Sequence, residues 1–201
     1  MSSDGFTVWF TGLTGSGKST LARKLHNELT GRGHQCEVLD SGRIRQALNR
    51  SLGFTRDEIE QAMQRIAYEC KLLNRNGIIA IVAAVSPYSD VREKIRKDIG
   101  RFVEVYCRCP MGILRQRDEK DLIGRAQRGE IQHVAGVNAP YEEPDDPQVL
   151  CDTEDESAEI GVQRILATLE RLGYLPAAAR AAYTAQEEEI IKRRMQDLGY
   201  L

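Results

Sequence analysis

Residues 12–19 of this 201-residue chain read GLTGSGKS, in which Gly12, Gly17, Lys18 and Ser19 fit the spacing GxxxxGK[ST] and Gly15 adds a third glycine. Glycine reaches backbone conformations closed to other residues, so such a loop can turn several N–H groups toward one centre. A polyanion is what that cradle suits. Gly12, Leu13, Thr14 and Gly15, followed by Ser16, Gly17 and Thr20, are the residues that would wrap the phosphates of a nucleoside triphosphate such as ATP. Lys18 would place a point charge at the β and γ phosphates, and the Ser19 hydroxyl would ligate Mg²⁺. The context agrees. FTVWFT at 6–11 reads as a strand before the loop, and Leu21, Ala22, Leu25 and Leu29 recur at helical spacing after it. The helix N-terminus adds its positive end to the cradle. A glycine-rich turn without a ligand is the alternative, and it costs backbone entropy that nothing recovers.

A second stretch with chemistry in it is VLDSGRIRQAL, residues 38–48. Asp40 follows an apolar run. It reads as a carboxylate for Mg²⁺-bound water or as a general base, against a plain helix cap by Asp40 or Ser41. Arg43 and Arg45 either face solvent or reach an anionic acceptor. Two residues apart on a helix they diverge, so one of them, Arg45, is expected to reach it directly. His133, in QHVAG, reads as a surface histidine rather than an acid–base group.

The elements that must position these residues are legible as alternating patterns. Residues 6–11, 35–39, 78–85, 102–107 and 148–151 read as short strands, and IIAIVAAV at 78–85 is apolar on both faces, as a central parallel strand is. From Thr55 to Asn76, Ile59, Met63, Ile66, Cys70 and Leu73 fall at spacings of three and four. Thr55 with Glu58 predicts a capping box, and Gly77 a stop. Thr153 with Glu156 predicts the same box before a helix at 157–172. The expected fold is α/β, a doubly wound parallel sheet of about five strands. Residues 118–147 interrupt the alternation with charge, glycines and three prolines, and a connection of that length predicts a lid. LGYL ends two helical stretches, at 172–175 and 198–201, where glycine suits a helix stop. The expected organisation is a domain over 1–175 and a helical tail over 176–201.

Composition narrows the class. A net charge of −2 gives no basic field for nucleic acid. No apolar run reaches the roughly 18 residues of a membrane span, and MSSDGF lacks signal-peptide features, so a soluble cytoplasmic protein is expected. The five cysteines form no CxxC pair and read as reduced, mostly buried thiols. A GTPase would carry an N/TKxD base-reading motif, which neither NRNG nor EKDL fits. Size, lid and the second stretch point to a small kinase.

From about Gly5 to about Leu172 the sequence resembles the adenylyl-sulfate kinases, a family of P-loop kinases. GFTVWFTGLTGSGKSTLA is close to that family's opening. VLDSGRIRQALNRSLGF stands where the family has LDGDxxR…LNxxLGF, and VSPY at 85–88 resembles ISPY. RDEKDLIGRAQRGEI at 117–131 resembles the lid RDxKGLYKKARxGEI, and GVNAPYEEP resembles GIDxPYExP. The resemblance implies transfer of the ATP γ-phosphate to the 3′-hydroxyl of adenylyl sulfate, with Mg²⁺, in a homodimer. It also implies residue roles. Phe54 would stack on the acceptor base, with Arg45 on its anionic group. Ser86 would hydrogen-bond phosphate or acceptor, Arg117 would lie near the ATP base, and Lys120 and Arg125 would close over the phosphates.

Departures from the family pattern gather on the acceptor side. Gly42 and Arg43 replace an Asp and an Asn. Ile59 and Ala62 replace an Arg and an Asn, Gly124 and Arg125 replace paired lysines, and Val134 replaces the Phe opposite Phe54. Three readings follow: an adenylyl-sulfate kinase with a rearranged acceptor pocket, a kinase for another nucleotide or small activated metabolite, or a non-catalytic nucleotide-binding regulator.

Overall fold

The computed structural model describes residues 5–42, 44, 52–176 and 196. Arg43, Arg45 and the 177–201 tail apart from residue 196 lie outside them. By internal contacts the chain divides into Met1–Thr168 and Leu169–Leu201.

The expected strands form, in chain order, β1 Thr7–Thr11, β2 Cys36–Asp40, β3 Ile79–Ala83, β4 Phe102–Arg108 and β5 Val149–Asp152. They make one parallel sheet in the order β2-β3-β1-β4-β5. Thr7 is in register with Ala80 on one side and Phe102 on the other. Each of β1 and β3 is buried along its whole length, which is why IAIVA of β3 is apolar throughout and β1 is apolar between its two buried threonines, rather than alternating. The carboxyl ends of β1, β2 and β3 open on one edge of the sheet, where ligands of such sheets bind.

Between the strands run α1 Lys18–Gly31, α2 Arg56–Arg75, α3 Ser89–Ile99, α4 Met111–Gln116, α5 Leu122–Gln127 and α6 Ala158–Arg171. Helix α1 buries Leu21, Ala22, Leu25 and Leu29, the stripe expected from spacing. Helix α2 starts with the predicted capping box between Thr55 and Glu58. It stops through Gly77 at φ 75°, with Ile78 N–H donating back to Leu73 O. Met63, Ile66 and Cys70 of α2 pack with Val91 and Ile95 of α3 and with Trp9 and Val82 of the sheet.

The second predicted capping box does not form. Helix α6 begins at Ala158, and Ser157 Oγ accepts from Ile160 N–H at 3.4 Å. Thr153 instead donates both its N–H and its hydroxyl to Arg108 O, and the Glu156 carboxylate pairs with Arg164. Both partners of the box are engaged elsewhere. In the second unit, Gly173 at φ 70° stops α6, with Tyr174 N–H donating to Leu169 O. No helix among the described residues is long and apolar enough to cross a membrane. All five cysteines are free thiols, four of them buried.

Candidate active site

The GLTGSGKS loop joins the end of β1 to the start of α1. Gly12, Gly15 and Gly17 adopt φ of 143°, 85° and 84°. The first is also a close approach, since a Cβ there would lie 2.5 Å from Cys107 O and 2.7 Å from Ser16 Oγ. The buried Ser16 Oγ has no hydrogen-bond partner, an orphan that a phosphate oxygen would satisfy. Lys18 folds back over the loop and donates to Leu13 O at 2.7 Å. Burial pushes its ammonium down to about pKa 8, partly offset by Cys107 and Asp40. A cramped cation, an orphan hydroxyl and a glycine cradle fit a triphosphate.

Asp40 makes the capping contact, and its second carboxylate oxygen lies beside the Ser19 hydroxyl. Its Oδ1 accepts Gly42 N–H at 3.0 Å and so caps the turn that follows β2. Its Oδ2 accepts the Ser19 hydroxyl at 2.7 Å. Hydroxyl and carboxylate oxygens side by side are the hard donor set that Mg²⁺ takes, with water filling the other positions. A Cβ at Gly42 would come within 3.1 Å of Asp40 Oδ1, so a side chain at 42 would crowd this carboxylate.

Two cavities flank the loop. One, of about 300 Å³, is lined by Gly15, Gly17, Thr20, Arg117 and Thr153. Arg117 is held there by a 2.8 Å bond to Thr153 O. The other, of about 440 Å³, is lined by Thr14, Gly42, Phe54, Ser86 and Val134. The α2 wall of this second cavity is apolar, built from Ile59, Ala62, Met63 and Ile66. Both volumes suit small ligands. The phosphate loop thus touches one cavity through Gly15 and Gly17 and the other through Thr14.

Ser86 stands at the edge of the second cavity in a left-handed conformation, φ 43°, which costs about 1–3 kcal/mol outside glycine. Its Oγ accepts from Trp9 Nε1 at 2.8 Å and donates to Ala84 O at 3.3 Å.

The lid, 118–147, carries α5. Its basic residues are turned to each other's acids: Arg125 to Glu130 at 3.4 Å, and Arg128 to Asp121 and Glu130 at 2.7 and 2.6 Å. Neither Lys120 nor Arg125 lines either cavity. Gly124 has a local reason, because a Cβ there would lie 2.0 Å from Asp121 Oδ1. The lid residue that sequence reasoning passed over is Asn138. Its Oδ1 accepts Val134 N–H at 2.8 Å, while its amide donates to Ile131 O and Ala126 O at 2.7 and 3.2 Å. That one side chain shapes the turn presenting His133 (φ 64°) and Val134 to the second cavity. No periodicity marks such a residue; an asparagine between a glycine and a proline was the available signal.

Known proteins match this picture. The family model described as adenylylsulphate kinase covers residues 4–152. The adenylyl-sulfate kinase of Gloeothece citriformis is 42% identical over 175 residues, which is 87% of this chain and 99% of that protein. A probable bifunctional SAT/APS kinase 2 of Sorangium cellulosum is 45% identical over 177 residues, and there the match takes 88% of this chain but spans 30% of the larger protein. Among solved structures, the Mycobacterium tuberculosis APS kinase CysC in complex with AMPPNP and APS superposes with a TM-score of 0.79 at 36% identity, covering 83% of this chain and 98% of that one.

Proposed function

The chain belongs to the adenylyl-sulfate kinase family, and we propose accordingly that it transfers the γ-phosphate of ATP to the 3′-hydroxyl of adenylyl sulfate, giving 3′-phosphoadenylyl sulfate and ADP. The observation that carries this reading is the pair of cavities on either side of one phosphate loop. ATP takes the cavity with Arg117, its triphosphate lies in the Gly12–Ser19 cradle, and adenylyl sulfate takes the cavity with Phe54 and Val134. The acceptor hydroxyl then meets the γ-phosphate beside Thr14.

In this reading Lys18 leaves Leu13 O for the β and γ phosphates, where its charge offsets what builds up on the transferring oxygens. The Ser16 hydroxyl and the loop N–H groups hold the rest of the chain of phosphates. Ser19 and Asp40 hold Mg²⁺. When bound there, Mg²⁺ would supply positive charge to neutralise the phosphates. Asp40 keeps Ser19 oriented and fixes the turn at Gly42, which borders the acceptor. Phe54 stacks on the acceptor base and Val134 packs on its other face. Ile59 and Ala62 line the floor with methyl groups instead of polar contacts. Arg45 supplies a cation to the acceptor's anionic end. Arg125 swings from Glu130, and Lys120 with it, toward the phosphates on lid closure, which excludes water and limits hydrolysis of ATP.

We assign residues 1–175 to the kinase domain, supported by the helix stop at Gly173, and 176–201 to a tail. Free, buried thiols support a reducing compartment such as the cytoplasm. A homodimer is the proposed assembly, and light scattering on the eluted protein checks it.

The test is ADP release from Mg-ATP against a panel of acceptors: adenylyl sulfate, other nucleotides, small activated metabolites, and none. Turnover with adenylyl sulfate above all others is expected. Preference for another acceptor overturns the substrate, and ATP binding without turnover on any acceptor overturns the kinase reading.

A further inference from the structure

One buried guanidinium lies behind the acceptor cavity. Arg92 of α3 is 3% exposed, and each of its three guanidinium nitrogens donates. Nη1 donates to Ser86 O at 2.7 Å, Nη2 to Glu142 O at 2.9 Å, and Nε to Glu104 Oε1 at 2.9 Å. The two segments it grips are also bonded to each other. Glu142 N–H donates to Pro87 O at 2.8 Å, and the Glu142 carboxylate accepts both the N–H and the hydroxyl of Ser89 at 2.7 Å. Glu104, on β4, takes a second cation from Arg96 at 2.5 Å.

The position of this knot gives it meaning. Ser86 and Pro87 line the acceptor cavity, and Glu142 lies in the closing part of the 118–147 lid. Ser86 is left-handed without being glycine, so that turn needs holding. Trp9 holds it by the hydroxyl from one side, and Arg92 by the carbonyl from the other. Tyr141, next to Glu142, meets Thr11 Oγ1 at 3.1 Å, one residue before the phosphate loop.

We propose that Arg92 is the positioning residue of the acceptor cavity: it locks the Ser86–Pro87 wall to the foot of the lid at Glu142, so that the lid closes in register with the acceptor. Arg92 itself touches no substrate. Its fork geometry is the reason for arginine here, since a lysine has no rigid arrangement that reaches a carboxylate and two carbonyls at once. The ATP cavity shares no residue with this knot, so losing Arg92 weakens acceptor use while leaving ATP binding. The inference rests on the kinase reading given above.

Two variants test it. Arg92→Lys keeps a charge beside Glu104 without the fork. Arg92→Met combined with Glu104→Met removes the buried pair together and leaves no lone carboxylate to unfold the protein. Two readouts are taken: KM for adenylyl sulfate against KM for ATP, and the indole N–H resonance of Trp9, the chain's one tryptophan. The expected result is a rise of about ten-fold or more in acceptor KM in the double variant and a smaller rise in Arg92→Lys, with ATP KM held within about two-fold. The indole resonance is expected to shift and to exchange faster with water. An unchanged acceptor KM, or acceptor and ATP KM rising together, overturns the proposal. If the wild-type protein does not turn over adenylyl sulfate, the functional reading fails on its own, and the indole resonance decides: a shift supports the Arg92 lock, and an unmoved resonance overturns it.

Discussion

The Ser19 hydroxyl and the Asp40 carboxylate lie 2.7 Å apart, the one in the first turn of α1 and the other at the end of β2. Parallel strands with their carboxyl ends on one edge bring them together across 21 residues of sequence. The pair predicts the behaviour of Asp40→Asn. The amide oxygen can still accept from Ser19, so the fold survives, but the negative charge at the metal is gone. The Mg²⁺ concentration for half-maximal rate should rise by about 10–100-fold, and chelation of Mg²⁺ should stop the wild-type reaction. A Mg²⁺ titration of the two proteins checks this, and superimposable curves would remove Asp40 from the metal site.

Lys18 predicts a pH dependence. Burial holds its ammonium at about 8 in the free protein, and bound phosphates favour the charged form. Nucleotide binding should therefore take up a proton above pH 8, and affinity for an ATP analogue should fall as pH rises, toward about ten-fold per unit. Calorimetry in two buffers of different ionisation enthalpy reads that proton. Folding has the opposite sign. Between about 8 and the ordinary 10.5 the unfolded chain holds the extra proton, so stability from this group rises with pH across that window. Lys18→Ala should cost about 10²-fold or more in kcat and, by removing a desolvated charge, should not lower Tm. Near-normal turnover in that variant would remove the loop from catalysis.

Much of this was legible in the residues because it is local. The glycine spacing at 12–17, the apolar stripe after it and the Thr55–Glu58 box each depend on neighbours within a few positions. So the strands and helices among the described residues read correctly, and the 12–17 loop adopts the glycine conformations its spacing implies. The Thr153–Glu156 box misled for the same reason: both side chains found better partners 45 and 8 residues away, at Arg108 and Arg164. Asn138 and Arg92 work through carbonyls from separate segments, and no spacing encodes that. Ser86 was read as facing the acceptor, and its buried bond from Trp9 shows only after β1 and β3 pair.

Asn138 predicts a lid phenotype. Asn138→Ala removes three bonds that tie Val134, Ile131 and Ala126 into one turn. The acceptor wall should loosen, with faster tryptic cleavage at Arg125 and Arg128 and a rise of several-fold in acceptor KM, on the order of 1–2 kcal/mol of binding. Cleavage at the wild-type rate with an unchanged KM would make Asn138 a bystander.

Val134 predicts a gain. It lines the acceptor cavity with Phe54, which leaves one aromatic face where the family pattern has two. Val134→Phe restores the second. Stacking on the base is worth about 1–3 kcal/mol where an aromatic can lie flat, so acceptor KM should drop several-fold with ATP KM unmoved. A rise in acceptor KM would mean that the base lies elsewhere.

The central claim is a phosphoryl group passing from one cavity to the other across the Gly12–Ser19 loop. It is read most directly by incubating the protein with ATP labelled at the γ-phosphate, Mg²⁺ and adenylyl sulfate, and locating the label. The account predicts label on the 3′-oxygen of adenylyl sulfate in a 1:1 ratio with the ADP formed, and about 10²-fold less, or lower still, at matched time in Lys18→Ala. Label released as inorganic phosphate, or retained in ATP while adenylyl sulfate stays unmodified, would contradict it.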